Sequence, residues 1–325
     1  MAKRLQLTEK VTPIGVEAEV KELRTIYFTI QDFMNKQNEF LIYKRSQNLS
    51  PRSMYDYDRS FLYLNNYINE VYSDKQIRYD ITLIRGYISY MLEKVSPNTV
   101  NIRIRYLKVY LQFLEQEGYV KERINERVKK VREVKNEKQP LTNSDIKKLL
   151  KVINMKSYAG LRDYTLVLLM LSVGTRINET INIRVKDINL KEKYIVINAE
   201  TAKNRTQRVV PLNSKLIVYL KKLIEISNDV GSEYVFLSSV SHDKVNLSHI
   251  KGQLIDYGKK AGLDKSSSAH KLRHTAITNL IKNGSNPLDV KSIAGHSSLE
   301  ITMGYYHNNL KDLQKCIAKD TLSDI

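Results

Sequence analysis

The chain is short of several features that define whole classes of protein. It holds one cysteine, Cys316, in 325 residues. That excludes an internal disulfide framework and a cysteine-based zinc site, and it points to a reducing, cytosolic compartment. No apolar run approaches the ~20 residues that a bilayer-crossing helix needs; the longest is LVLLML, from 166 to 171. The opening residues, MAKRLQLTEK, lack the apolar stretch of a secretory signal. There is no phosphate loop, no GxGxxG and no HExxH. No carboxylate cluster is present to hold a metal, and no cofactor is expected. Negative charge is scarce too: 35 acidic residues stand against 53 basic ones, a formal net charge of +18. An excess of that size speaks of partners, either nucleic acid or an anionic membrane surface.

What is present is enough for two folded units. Apolar residues make up 42% of the chain and are spread along it, which argues against disorder. Helical spacing begins near Thr25, with Ile26, Ile30, Phe33, Phe40 and Tyr43. Two later segments resemble each other. In each, a serine (Ser50, Ser96) precedes a proline (Pro51, Pro97), which reads as an N-cap followed by proline in the first helical position. Behind them apolar residues recur at helical spacing: Tyr57, Phe61, Leu64 and Ile68, then Ile104, Leu107, Leu111 and Leu114. The reading is an extension over 1–24, a helical unit over 25–120, a basic linker over 121–139 and a second domain over 140–325. The linker, rich in lysine and arginine and including Lys129 and Lys130, is either a solvated connection or a strand-following contact to phosphates.

The second unit changes pattern. Thr142 or Ser144 caps a helix through Leu149, and a helix from about Leu161 to Val173 ends at Gly174. KYIVIN (193 to 198) and QRVVPL (207 to 212) read as a β-hairpin. The remainder is helical, with breaks at Gly231, Gly262, Gly284 and Gly295. The fold class is therefore mainly α with a small antiparallel sheet.

Four of six histidines fall between His270 and His307. AHKLRHTA places His270 and Arg273 three apart, on one helix face. GTRINE places Arg176 just after a helix break, where a cation opposes the helix dipole. Either Glu179, one turn on, neutralises it, or Arg176 is aimed at an anion. If the anion is a phosphodiester, arginine is the best side chain for the transition state, being planar, forked and always charged. Arginines with histidine donors would form a preorganised phosphate clamp. A tyrosine hydroxyl, of ordinary pKa ~10, would need a proton acceptor to attack, and the leaving 5′-oxygen would need a lysine or histidine donor.

GTRINE, AHKLRHTA, GHSS and a tyrosine nine residues after His296 resemble, in order and spacing, the tyrosine recombinases, or phage integrase family. The resemblance runs from LTNSDI to YYH, and the helical first unit looks like that family's core-binding domain. It implies a C-shaped clamp on double-stranded DNA, acting as a homotetramer on two recombination sites, in the cytoplasm at the nucleoid. It implies that Arg176 and Arg273 grip the scissile phosphate. By the same resemblance His270 binds phosphate and handles protons, His296 binds a non-bridging oxygen, and Glu179 orients the site. Lys203, five residues before Arg208, matches the lysine that protonates the leaving group, with Arg205 its near rival. Tyr305, nine after His296 and two before His307, matches the nucleophile; Tyr306 fits neither count. His274 would brace Arg273 or cap its helix, and His242 and His249 read as surface residues.

The tyrosines of the first unit read as packing, and Arg52, Arg59, Arg103, Arg105 and Lys108 as contacts to DNA. The amphipathic tail from Asn309, with Leu310, Leu313 and Ile317 on one side, either docks on a neighbouring protomer or packs on its own domain. With only ~25 residues before the first helix, a simple Xer-like or transposon-type member is expected. A type IB topoisomerase and a non-catalytic DNA-binding regulator are the other classes with this charge.

Overall fold

The computed structural model describes residues 28–72, 79–120, 122–133, 139–202, 204–263 and 267–305. Lys203, Tyr306, His307 and the tail lie outside the described residues. The chain divides into two compact units, Met1–Asn136 and Glu137–Ile325.

The first unit is helical: α1 (Ile30–Ser46), α2 (Pro51–Val71), α3 (Ile81–Lys94), α4 (Pro97–Gln116) and the single turn α5 (Ile124–Arg127). Local chemistry sets the starts. The side chains of Ser50 and Ser96 accept the backbone N–H of Ser53 and Thr99, each with proline next in sequence. Thr29 and Asp32 cap α1 reciprocally. Helix α3 was not foreseen, although Asp80 caps it by accepting from Thr82 and Leu83. The core is aromatic. Phe40 meets Tyr57, Phe61, Tyr110 and Phe113, with ring centroids 5.1 to 5.6 Å apart. Tyr57 and Tyr67 are buried, as expected, whereas Tyr55 is exposed.

The linker expected from residue 121 needs correction. Residues 122–131 pack on the helical unit, with Ile124 and Val128 in its core. Asn101 holds Val131 by a hydrogen bond in each direction, at 2.8 and 2.9 Å. The apolar residues interleaved with the charges decide this, since burying them outweighs keeping the segment free.

The second unit contains α6 (Asn143–Lys151), α7 (Tyr158–Val173), α8 (Ile177–Ile181), the strands β1 (Ile188–Asn189), β2 (Tyr194–Ile197) and β3 (Arg208–Pro211), then α9 (Ser214–Asp229), α10 (Leu247–Lys260), α11 (Ala269–Lys282), α12 (Pro287–Ala294) and α13 (Leu299–Met303). Helix α7 packs between α9 and α11. It starts three residues earlier than expected because Ser157 caps it at Gly160. Thr142 caps α6, reciprocally with Asp145. The foreseen hairpin forms with Ile195 opposite Val210, and the unforeseen β1 extends it to an antiparallel sheet in the order β1-β2-β3. Gly231, Gly262 and Gly284 follow helix ends. Among the described residues no helix is long and apolar enough to cross a membrane.

Candidate active site

Helices α8 and α11 and the loops that follow α7, α12 and α13 bring sequence-predicted residues together. Gly174 ends α7 at φ 66°, a left-handed turn natural to glycine, and two residues later Arg176 precedes α8. Glu179, one turn into α8, is 1% exposed. One of its oxygens accepts from the Arg176 guanidinium at 2.9 Å, and the other from the Arg176 backbone N–H at 2.9 Å. Arg176 is thus both paired with Glu179 and open to a ligand, because it also lines an open cavity of about 470 Å³.

Sequence reasoning missed the third arginine. Arg208 reaches from β3 to bracket the same carboxylate, at 2.6 and 3.3 Å. Only its position in the hairpin pattern could have marked it; nothing in the sequence shows that it turns inward. Burial pushes the Glu179 carboxyl up, but the hydrogen bonds and charge of Arg208, with those of Arg176, outweigh this and hold it below the ordinary range.

Arg273, on α11, is buried and donates to the carbonyls of Gly174 (2.5 Å) and Ala294 (2.8 Å). Burial first, and then the neighbouring Arg176, lower it to about 10, so it stays charged at neutral pH. His270 lies on the first turn of α11 and is exposed. Gly295, at φ 65°, ends α12 and turns the chain into His296. His296 is 7% exposed, with Nδ1 2.8 Å from the Thr302 hydroxyl. Burial, then Arg273, Arg176 and Arg208, push its pKa down to about 4, so the imidazole is neutral at physiological pH. If the Thr302 hydroxyl donates to Nδ1, the proton sits on Nε2 and that nitrogen is the donor.

Tyr305 follows α13. Its ring stacks on His296, with centroids 5.9 Å apart and planes 16° apart, and leans on His274 at 5.1 Å. His274 therefore packs against Tyr305, and the cap of α11 is Ser268. Burial pushes the Tyr305 hydroxyl up, while Arg273 and Arg176 pull it down. The site gathers Arg176, Glu179, Arg273, His296 and Tyr305; Arg205 stands exposed in the hairpin turn with φ 51°.

The family profile described as "Phage integrase family" matches residues 139–312. The chain belongs to the phage integrase family. Its relatives are named tyrosine recombinases, and it is a tyrosine-type site-specific DNA recombinase. It is 28% identical to tyrosine recombinase XerA of Pyrococcus furiosus, over 70% of this chain and 76% of that one. It is 30% identical to tyrosine recombinase XerC of Oceanobacillus iheyensis, over 70% and 75%. Its fold is similar to that of the Tn1549 transposon integrase in complex with a circular intermediate DNA. There the TM-score is 0.73 at 19% identity, covering 90% of this recombinase and 99% of that chain.

On the first unit, Arg52, Arg59, Arg105, Lys129 and Lys130 are exposed. Arg59 on α2 and Arg103 on α4 meet at one tyrosine: Arg59 donates to the Tyr63 hydroxyl at 2.6 Å, and the Arg103 guanidinium lies 3.7 Å from the ring centre. Lys108 instead donates to the Val128 carbonyl at 3.2 Å, so its ammonium fastens the segment after α5. His242 and His249 are exposed, in keeping with surface positions.

Proposed function

We propose that this recombinase cuts and rejoins DNA strands at specific sites with Tyr305 as nucleophile, without metal or ATP. The observation that carries the reading is the arginine cluster beside Tyr305. Three guanidinium charges, from Arg176, Arg208 and Arg273, meet one carboxylate, Glu179, and leave two positive charges over. A phosphodiester under attack gains negative charge on its non-bridging oxygens, and a fixed positive site stabilises that gain more than the ground state.

The Tyr305 oxygen attacks phosphorus, and the bond from phosphorus to the 5′-oxygen breaks. The products are a 3′-phosphotyrosyl diester and a free 5′-hydroxyl. Arg176 and Arg273 hold the phosphate, with neutral His296 donating to a non-bridging oxygen. His270 handles the tyrosine proton, and Lys203 gives the 5′-oxygen its proton. The energy of the broken bond stays in the phosphotyrosyl link, so a 5′-hydroxyl from a partner strand can reverse the step and complete strand exchange. Both units bind one duplex, with a core-binding unit from 25 that includes the docked segment 122–131 and a catalytic unit over 140–325. Arg52, Arg59, Arg103, Arg105, Lys129, Lys130 and Arg205 contact DNA, and four protomers act on two sites. The reaction serves integration and excision of a mobile element or resolution of chromosome dimers, at the nucleoid.

The test is a nicked suicide duplex carrying the site, incubated without metal or ATP and resolved on denaturing gels. Wild type and Tyr306→Phe should yield a covalent adduct, and Tyr305→Phe should yield none. An adduct that survives Tyr305→Phe moves the nucleophile elsewhere. Binding of the correct site with no adduct from wild type turns the reading to a regulator.

A further inference from the structure

Arg208 is the one arginine of the cluster to which the recombinase pattern gives no task. Its side chain is 10% exposed, long and charged, and every nitrogen it carries is engaged. Two nitrogens take both oxygens of Glu179, the carboxylate that also holds the backbone and guanidinium of Arg176. The third, Nε, donates to the carbonyl of Ile293 at 2.9 Å, in the last turn of α12. The guanidinium also lies flat against Gly295. A Cβ there would come within 2.9 Å of its central carbon, so the turn into His296 is shaped around Arg208. The carbonyl of Gly295 in turn accepts from Arg176 at 2.9 Å and from Asn204, in the hairpin loop, at 3.1 Å.

From this we infer that Arg208 is a positioning residue, which fixes Arg176 through Glu179 and fixes His296 through the 293–295 backbone. The inference rests on the proposed roles of Arg176 and His296. One side chain in β3 thus ties α8 to the end of α12. Both phosphate-facing groups are preset before DNA arrives, which is where electrostatic catalysis gains its advantage. The forked geometry explains why an arginine is used. Two donors spread in a plane meet a carboxylate edge-on while the third points along the stem to a carbonyl, and a lysine ammonium cannot reach all three. Competition for Glu179 has a second effect. With Arg208 taking part of its charge, Glu179 orients Arg176 without cancelling it.

The experiment compares wild type, Arg208→Ala, Glu179→Gln and the double variant, full length, on the same suicide duplex. Duplex binding is read by gel shift and cleavage by single-turnover adduct formation. Arg208→Ala should bind within about threefold of wild type yet cleave on the order of a hundredfold more slowly, the pattern of a lost transition-state interaction. Because Arg208 acts largely through Glu179, the double variant should cleave far better than the product of the two single losses predicts, the mark of coupled residues. The inference is overturned if Arg208→Ala cleaves within about twofold of wild type. It is also overturned if binding falls in step with cleavage, which is a folding defect, or if the two losses simply multiply. Absence of adduct from wild type would count against the proposed function itself and is seen in the same gel.

Discussion

The two units solve the same problem, a stable core in a basic chain, with opposite materials. The first buries rings. Phe40, Tyr57, Phe61, Tyr110 and Phe113 interlock, and its buried polar side chains among the described residues are the neutral Gln37, Ser60 and Asn101. The second buries charge: Arg162, Asp163, Glu179, Asp187 and Arg273 are all under 9% exposed. Within that unit the charges differ again. Arg162 and Asp163 form a one-to-one pair, completed by the Leu237 carbonyl and the Tyr257 hydroxyl, each at 2.8 Å. Around Glu179 the charges are unequal, three cations to one anion. A balanced buried pair is architecture; an unbalanced cluster at an open cavity has room for a further anion. Burial of charge alone therefore does not mark a binding site; the imbalance is what supports the site proposed around Glu179.

The contrast can be tested by breaking each core in its own currency. Phe40→Ala should cost about 3–5 kcal/mol through lost aromatic packing. Arg162→Met should cost a similar ~3–5 kcal/mol by stranding Asp163 without its cation. Urea denaturation of each variant measures both, and cleavage per folded molecule should be unchanged in Arg162→Met. A drop in that specific rate would join the pair to the active site and undo the distinction drawn between them.

A smaller effect separates the units by pH. In the folded protein His296 titrates near 4, against 6.5 for an ordinary histidine. Between those values the unfolded chain binds a proton that the folded chain refuses, so stability falls as pH drops through that window. His296→Gln should lose that part of the pH dependence, seen as a smaller shift of the urea midpoint between pH 7 and about pH 5. An identical shift in both proteins would mean that the imidazole is not held neutral.

Smallest of all are the caps. Ser96→Ala and Thr142→Ala, one in each unit, should each cost about 1 kcal/mol and leave cleavage intact. Equal losses would show that helix starts work alike in the aromatic and the charged core.

These comparisons also mark how far the sequence could be read. Serine or threonine before a helical pattern fixed the starts of α2, α4 and α6, because a cap is satisfied within three residues. The hairpin was legible because its alternation and turn are local. Helix α3 has a local cap in Asp80 but no proline behind it, so its start carries a weaker sequence signal than those of α2 and α4. The segment 122–131 looks like a free linker in sequence because its charges outnumber the three apolar residues, Ile124, Val128 and Val131, that dock it. Motif order alone brought Arg176, Glu179, Arg273, His296 and Tyr305 into one proposal, with no knowledge of distance.

The sequence by itself determined the charge that demands an anionic partner, the caps and turns, and the family to which the chain belongs. Those depend on composition and on neighbours a few residues apart. Tertiary structure decided that Arg208 turns inward to share Glu179 with Arg176, that His274 leans on Tyr305, and that His296 is neutral. Each of these depends on burial beside groups that are distant in the chain, where a side chain's charge and direction are set by partners it meets only after folding.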